Sequence, residues 1–306
     1  MTPEKPVRLD QELVRRGLAR SRTQAAQYIA ADVVRVGGRP AVKAAQPVAS
    51  DDDIVVTEQE AYVSRAAHKL SGALRYFGTV TGEAGSVTGE AGTATSEAGT
   101  AAGSLVRGRR CLDAGASTGG FTQVLLEAGA SEVVAVDVGH DQFAPELARR
   151  PDVTSLEGTN VRGIGPDDIT GAVDIVVADL SFISLTLVLP ALRRCVRDDG
   201  DLFLMVKPQF ELKRSDLDGS GVVRDPAKHG QALRSVAATA GTLNLRAVAI
   251  CRSELPGPSG NIEFFIWFKP LVPEAADRSS EPNPMLVIEE FASQLTSRQT
   301  QRRGQT

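Results

Sequence analysis

Apolar positions along this chain of 306 residues recur with two different periods, and the switch between them divides it. Near the N-terminus Leu13, Val14 and Leu18 fall at helical spacing behind Asp10, read as an N-cap, and Gly17 is read as the stop. Ala25, Ala26 and Ile29 follow Ser21 in the same way. VVRVGGR, with a Gly-Gly turn, and DDDIVV then read as short strands. Residues 1–59 are therefore expected to form a small α+β module. The stretch YVSRAAHKL opens a second one: Ala66, Leu70, Ala73, Leu74 and Phe77 form one apolar stripe behind Ser64. Lys69 sits at the border of that stripe, and His68 lies nearly opposite, toward solvent.

Beyond residue 110 short apolar runs alternate with helical segments. Strands are predicted at 110–114, 132–138, 153–156, 174–179, 201–207, 246–251 and 263–268, and helices at 119–128, 141–149, 184–197 and 226–242. Such alternation implies an α/β fold with a mainly parallel, Rossmann-like sheet covered on both faces. The last two strands are joined by RSELPGPSGN, too short for a crossover helix, so they should run antiparallel. Two segments break the pattern. Residues 78–104 repeat an EAG unit with almost nothing to bury and are expected to be a disordered insertion. Residues 272–306 are polar and are expected to be a disordered tail, with a turn or two of helix around MLVIEEFASQL. The second domain is thus assigned to 60–271.

Composition narrows the class. The hydrophobic share of 42% and charged share of 24% fit a soluble globular chain. The start, MTPEKPVRLD, has no secretory pattern, and no apolar run is long enough to span a bilayer, so a cytoplasmic protein is expected. Cys111, Cys195 and Cys251 are isolated, and His68, His140 and His229 form no ligand spacing, so neither disulfides nor a metal site is expected. The net charge of −4 hides an asymmetry: residues 1–50 hold nine Lys or Arg against four acids. Arg15, Arg16, Arg20 and Arg22 cluster where the two predicted helices meet, which suggests a polyanion contact.

CLDAGASTGGFT follows the first core strand and opens a helix, the position at which such sheets bind nucleotide-like ligands. Gly115 permits a sharp turn, and Gly119 and Gly120 would let backbone approach a ligand. The spacing is G-x-x-x-G-G, so the G-x-G-x-x-G pyrophosphate fingerprint is absent. Asp113, expected to face the groove, suits a cation better than a phosphate, and Asp137 at the next strand end suits ribose hydroxyls. S-adenosylmethionine, which carries a sulfonium and an ammonium but no phosphate, fits these features. The cofactor site is assigned to Asp113, Gly115, Ala116, Ser117, Thr118, Gly119, Gly120, Asp137, Val138, Asn160 and Asp179.

Three further polar residues stand at strand ends: Asp179 in VDIVVADLSFIS, Lys207 in DLFLMVKPQFE and Glu263 in NIEFFIWF. An antiparallel last strand brings its start to the edge where the others end, so all three should converge beside the cofactor loop.

These segments also carry a resemblance. RLDQELVRRGLARSRTQAAQYIAADVVRVGGRPAVK resembles the RNA-binding domain typified by ribosomal small-subunit protein S-four, except that Asp32 stands where that pattern usually has glycine. SRAAHKL, ADLSFIS, VKPQFE and NIEFF resemble the TlyA-type rRNA 2′-O-methyltransferases, also named hemolysin A, whose catalytic domain is FtsJ-like. The resemblance implies a Lys-Asp-Lys-Glu tetrad around a target ribose, here Lys69, Asp179, Lys207 and Glu263. It implies S-adenosylmethionine as cofactor, cytidines of 16S and 23S rRNA, within ribosomal RNA or subunits, as substrate, and Arg8, Arg15, Arg16, Arg20 and Arg22 as RNA contacts.

The tetrad makes chemical sense, because a ribose 2′-hydroxyl needs a base or a positive field to attack a methyl carbon. Deprotonating an ordinary lysine at neutral pH costs about 4 kcal/mol. Lys207 as base and Lys207 as a charged stabiliser of the alkoxide both remain open at this stage. Three rivals are a non-catalytic RNA-binding protein, an NAD-dependent dehydrogenase and a membrane-active hemolysin. The tetrad disfavours the first, the loop spacing the second and the missing membrane segment the third.

Overall fold

The computed structural model describes residues 7–19, 21–30, 33–56, 62–80, 88–90, 103–271 and 285–303. It divides into two compact units, Met1–Ala61 and Tyr62–Thr306.

In the first unit β1 (Val7–Arg8) pairs antiparallel with β4 (Pro47–Val48), and β2 (Val34–Val36) lies between β3 (Arg39–Pro40) and β5 (Ile54–Val56). Helices α1 (Leu9–Arg15) and α2 (Arg22–Ala30) close a core of Leu9, Leu13, Ala25, Tyr28, Ile29, Val34 and Ile54. Ser21 caps α2 through a bond from the Gln24 amide. Asp10 does not cap α1, which starts one residue earlier behind Arg8. Its carboxylate is buried and instead accepts from the guanidiniums of Arg8 and Arg22. Asp32 lies outside the described residues.

The second unit is built on one sheet of eight strands. All seven predicted strands form: β7 (Arg110–Ala114), β8 (Glu132–Val136), β9 (Val153–Leu156), β10 (Val173–Ala178), β11 (Val196–Val206), β12 (Leu245–Arg252) and β13 (Phe264–Pro270). With the short β6 (Thr88–Glu90) their order is β6-β12-β13-β11-β10-β7-β8-β9. β13 is antiparallel to both β11 and β12, as the short connection requires, and the other pairs are parallel. The helices are α3 (Ala66–Val80), α4 (Gly120–Glu127), α5 (Pro145–Ala148), α6 (Leu185–Cys195), the single turn α7 (Pro208–Glu211), α8 (Pro226–Thr242) and α9 (Leu286–Arg303). The stripe of α3 packs on one sheet face, where the Phe77 ring lies 5.6 Å from Phe203 and 5.8 Å from Trp267. Burying an aromatic of this size contributes about 2–3 kcal/mol.

Two expectations of disorder need correction. The C-terminal segment is not a loose tail: Val287, Ile288, Phe291 and Ala292 are buried on α9, and Phe291 meets Phe264 edge-on at 5.9 Å. Polar flanks hid this stripe, which needs only four positions on one face. The expected insertion carries regular structure at both ends and in one place between. Helix α3 runs on to Val80, a helical turn begins at Gly103, and Thr88–Glu90 pairs parallel with β12. Edge pairing requires only backbone groups, so a segment without apolar side chains can still supply a strand. The remainder of 78–104 lies outside the described residues.

Candidate active site

The register brings the predicted polar residues to one edge. Ala178 pairs with Ala114 and Leu204, and Phe264 pairs with both Val206 and Arg252. Asp179, Lys207 and Glu263 each lie one residue beyond these pairs. Continuing the antiparallel register of β11 and β13 sets Lys207 opposite Glu263.

The four residues of the tetrad form two ion pairs. Lys69 Nζ, on α3, donates to Glu263 Oε2 at 2.6 Å, and both side chains are buried. Lys207 Nζ lies 2.6 Å from Asp179 Oδ1 and donates to Ser181 Oγ at 2.8 Å. Breaking a buried pair on one side is costly because a charge is left without its partner. His68 is exposed and only meets the Tyr62 ring edge-on, 5.0 Å away.

Two loops carry this edge. ADLSFIS follows β10, and KPQFE follows β11. Between Ser181 and Ser184 stands Phe182, which is 91% exposed and has φ of 62°. A bulky residue in the left-handed region is an outlier that ordinary packing does not require. Its ring lies 5.2 Å from that of Phe210. Sequence reading passed over both Ser181 and Phe182, because an exposed aromatic in an apolar run looks like core.

The glycine loop differs from expectation in detail. Gly115, at φ 87°, passes so close to the next strand end that a Cβ would stand 2.7 Å from the Asp179 carbonyl oxygen. A Cβ on Gly120 would run into Ser64 Oγ, and one on Gly119 would meet Leu147 and Phe143. Packing therefore also requires the last two glycines. Asp113 is not on the groove surface: it is fully buried and accepts from Thr122 Oγ1 at 2.7 Å on α4. Burial pushes its carboxyl up to about 7, against the opposing effect of that bond. Its Oδ1 finds no hydrogen-bond partner among the described residues.

Asp137 accepts from the amides of Ser117 at 2.8 Å and Gly139 at 2.7 Å, fixing the loop against the end of β8. Ala116 is buried, Thr118 half-buried, and Ser117, Val138 and Asn160 are exposed. Asn160 caps a short 3-10 turn through Arg162. Among the described residues no group of three His, Cys, Asp or Glu could hold a metal.

In the first unit the arginines are organised by two acids. Asp10 holds Arg8 and Arg22, and Glu12 holds Arg15 and Arg16, at 2.6 to 3.1 Å. Both carboxyls are held down at about 2, chiefly by the Arg8 and Arg15 guanidiniums respectively. Arg16 also donates to the carbonyls of Asp52, Ala49 and Ser50, so it staples the fold. Arg20 lies outside the described residues.

A mostly parallel sheet with β13 reversed, and a glycine loop without the pyrophosphate fingerprint, define a Rossmann-like methyltransferase domain. Residues 62–270 match the FtsJ-like methyltransferase model and residues 7–54 the S4 domain. The chain belongs to the FtsJ-like methyltransferase family, in its S4-bearing TlyA group. It is 50% identical to the 16S/23S rRNA (cytidine-2′-O)-methyltransferase TlyA of Mycobacterium tuberculosis, across 86% of this chain and 89% of that one. Hemolysin A of Brachyspira hyodysenteriae is 31% identical across 86% and 99%. A solved chain from Streptococcus thermophilus that carries a hemolysin name superposes with a TM-score of 0.65, at 31% identity, covering 99% of this chain and 100% of that one. No helix among the described residues is long and apolar enough to cross a membrane.

Proposed function

We propose that the chain transfers a methyl group from S-adenosylmethionine to cytidine 2′-hydroxyls of 16S and 23S rRNA, within ribosomal RNA or assembled subunits. The observation that carries this reading is the convergence of two lysine–carboxylate pairs, one buried and one half-buried, on the strand edge that bears the glycine loop.

The residues fit the cofactor. The loop from Asp113 to Gly120 contains no lysine or arginine, while Asp113, Asp137 and Asp179 all stand at this edge. Beneath the loop the buried Asp113 has one oxygen, Oδ1, without a hydrogen-bond partner among the described residues. Such surroundings disfavour phosphate and favour a cation. Asp137, with Val138 and Asn160, is assigned to the nucleoside end, and Gly115 through Gly120 to backbone contacts. When bound, S-adenosylmethionine supplies an electrophilic methyl carbon on a positively charged sulfur.

Lys207 is the nitrogen assigned to the 2′-hydroxyl. Its Nζ lies 2.6 Å from Asp179 Oδ1 and donates to Ser181 Oγ. Asp179 takes one proton from Lys207, and the free amine then accepts the hydroxyl proton as the 2′-oxygen attacks. The N–H so formed stabilises the developing alkoxide. Lys69 and Glu263 hold the adjoining wall and its charge balance. Phe182 offers an exposed ring on which the target base stacks, with Phe210 behind it. In the first unit Arg8, Arg15 and Arg22 keep much of their surface, and each acid–arginine cluster retains one net positive charge for phosphate.

Incubating the protein with ribosomal subunits and S-adenosylmethionine, then mapping 2′-O-methyl positions, tests this reading. New cytidine 2′-O-methyl groups in both rRNAs are expected. Methyl groups found only on bases would contradict it.

A further inference from the structure

One half-buried carboxyl beside the catalytic loops has no part in the proposed transfer. Glu211 ends the turn α7 that begins directly after Lys207. Its Oε1 accepts from the Leu185 amide at 2.8 Å, and its Oε2 accepts from Ser184 Oγ. Ser184 is itself the N-cap of α6 and accepts from the Thr186 amide at 3.1 Å. Glu211 is thus a second cap, supplied from another loop, at the positive end of an eleven-residue helix. Among the described residues no cation pairs with it, and burial pushes its carboxyl up.

The placement of this cap joins the two catalytic loops in register. Lys207 ties to Asp179 and Ser181, Phe210 packs on Phe182, and Glu211 ties to Ser184 and Leu185. The three ties run in the same order along both loops. Phe182, in its left-handed conformation, lies between the first tie and the last. A residue in that region reverts to an easier conformation unless its surroundings fix both ends of the segment. Lys207 fixes one end; Glu211 fixes the other.

We infer that Glu211 is a positioning residue for methyl transfer: by clamping Ser184 and Leu185 it holds the loop of Asp179, Ser181 and Phe182 against Lys207. The inference rests on the proposed site, and it assigns Glu211 no contact with cofactor or substrate. Its signature is a loss in turnover without a loss in cofactor affinity. The conservative variant should restore function, because an amide still accepts from Leu185 N and its NH2 donates to Ser184 Oγ.

The test uses the full chain with ribosomal subunits, measuring kcat, KM and cofactor affinity for Glu211→Ala, Glu211→Gln, Ser184→Ala and Lys207→Ala. For Glu211→Ala kcat should fall about tenfold to 100-fold. Cofactor affinity should stay within about twofold, and Glu211→Gln should recover most of the turnover, with Ser184→Ala in between. An unchanged kcat in Glu211→Ala, or a Glu211→Gln as poor as the alanine variant, overturns the inference. Should Glu211→Ala not fold, Ser184→Ala decides, and undiminished turnover there overturns it. The Lys207→Ala enzyme separates the two failures. If it is inactive beside a fully active Glu211→Ala, the positioning role alone fails; if it is fully active, the proposed site fails as well.

Discussion

Both units of this protein bury carboxylates beside cations, yet they do so over very different stretches of chain. In the first, Asp10 and Glu12 hold arginines two to twelve residues away, three of the four pairs within one turn of helix. In the second, Glu263 reaches Lys69 across 194 residues, and Asp179 meets Lys207 from a different strand. Local pairs shape a helix junction and leave it basic. Distant pairs exist because the sheet topology brings strand ends together, and they enclose chemistry that no single segment could hold. Buried ion pairs alone therefore do not mark an active site; buried pairs closed by long-range topology beside a ligand loop do.

This contrast can be broken experimentally. Substitution of Lys207 in the distant, half-buried pair should remove activity and leave the fold, whereas substitution of Glu12 in a local pair should weaken the fold of the first unit. The largest effect is expected for Lys207→Ala, which should lower methyl transfer at least about 100-fold, the scale of losing one charge-stabilising donor. Its cofactor binding, followed by calorimetry, should be retained. Next comes Glu12→Ala, which strands two guanidiniums and should cost about 1–3 kcal/mol of stability. Hydrogen exchange across residues 7–56 should register that loss, with the exchange of 103–271 unchanged. A Glu12→Ala protein with normal protection would erase the distinction.

Acid should act on the first unit in a definite window. The folded-state values of Asp10 and Glu12 lie at about 2, below the usual carboxylate range near 4. Their contribution is complete above that range and is lost as pH falls toward about 2. Amide protection of 7–56 should therefore drop between about pH 4 and pH 2, and Glu12→Ala should flatten the drop. The smallest effect is expected for the insertion. Replacing residues 81–102 with a Gly-Ser linker removes, among the described residues, one short edge pairing and should change stability by less than about 0.5 kcal/mol. A larger loss on denaturant titration would show that β6 contributes to the sheet.

How much of this was legible follows the same division. Periodicity located all seven main strands and the stripe of α3, because a continuous core imposes it. The convergence of Asp179, Lys207 and Glu263 was legible too, since the direction of β13 follows from one short connection. Contacts that depend on side-chain packing were not. Nothing in the sequence showed that Asp113 turns inward to Thr122, that Gly120 seats Ser64, or that Phe182 stands exposed at a positive φ. The helix at Leu286–Arg303 was expected only as a turn or two, because its apolar stripe is short and its surroundings polar. Asp10 looked like a cap, and only the fold revealed it as the anchor of two arginines.

The central claim is that Lys207, paired with Asp179, handles the proton of a ribose hydroxyl. Single-turnover transfer of a labelled methyl group to ribosomal subunits, comparing wild type with Lys207→Ala at saturating cofactor, tests it most directly. The account predicts cytidine 2′-O-methylation by the wild type and a variant that binds cofactor but transfers at least about 100-fold more slowly. A Lys207→Ala enzyme that methylates at the wild-type rate would contradict it.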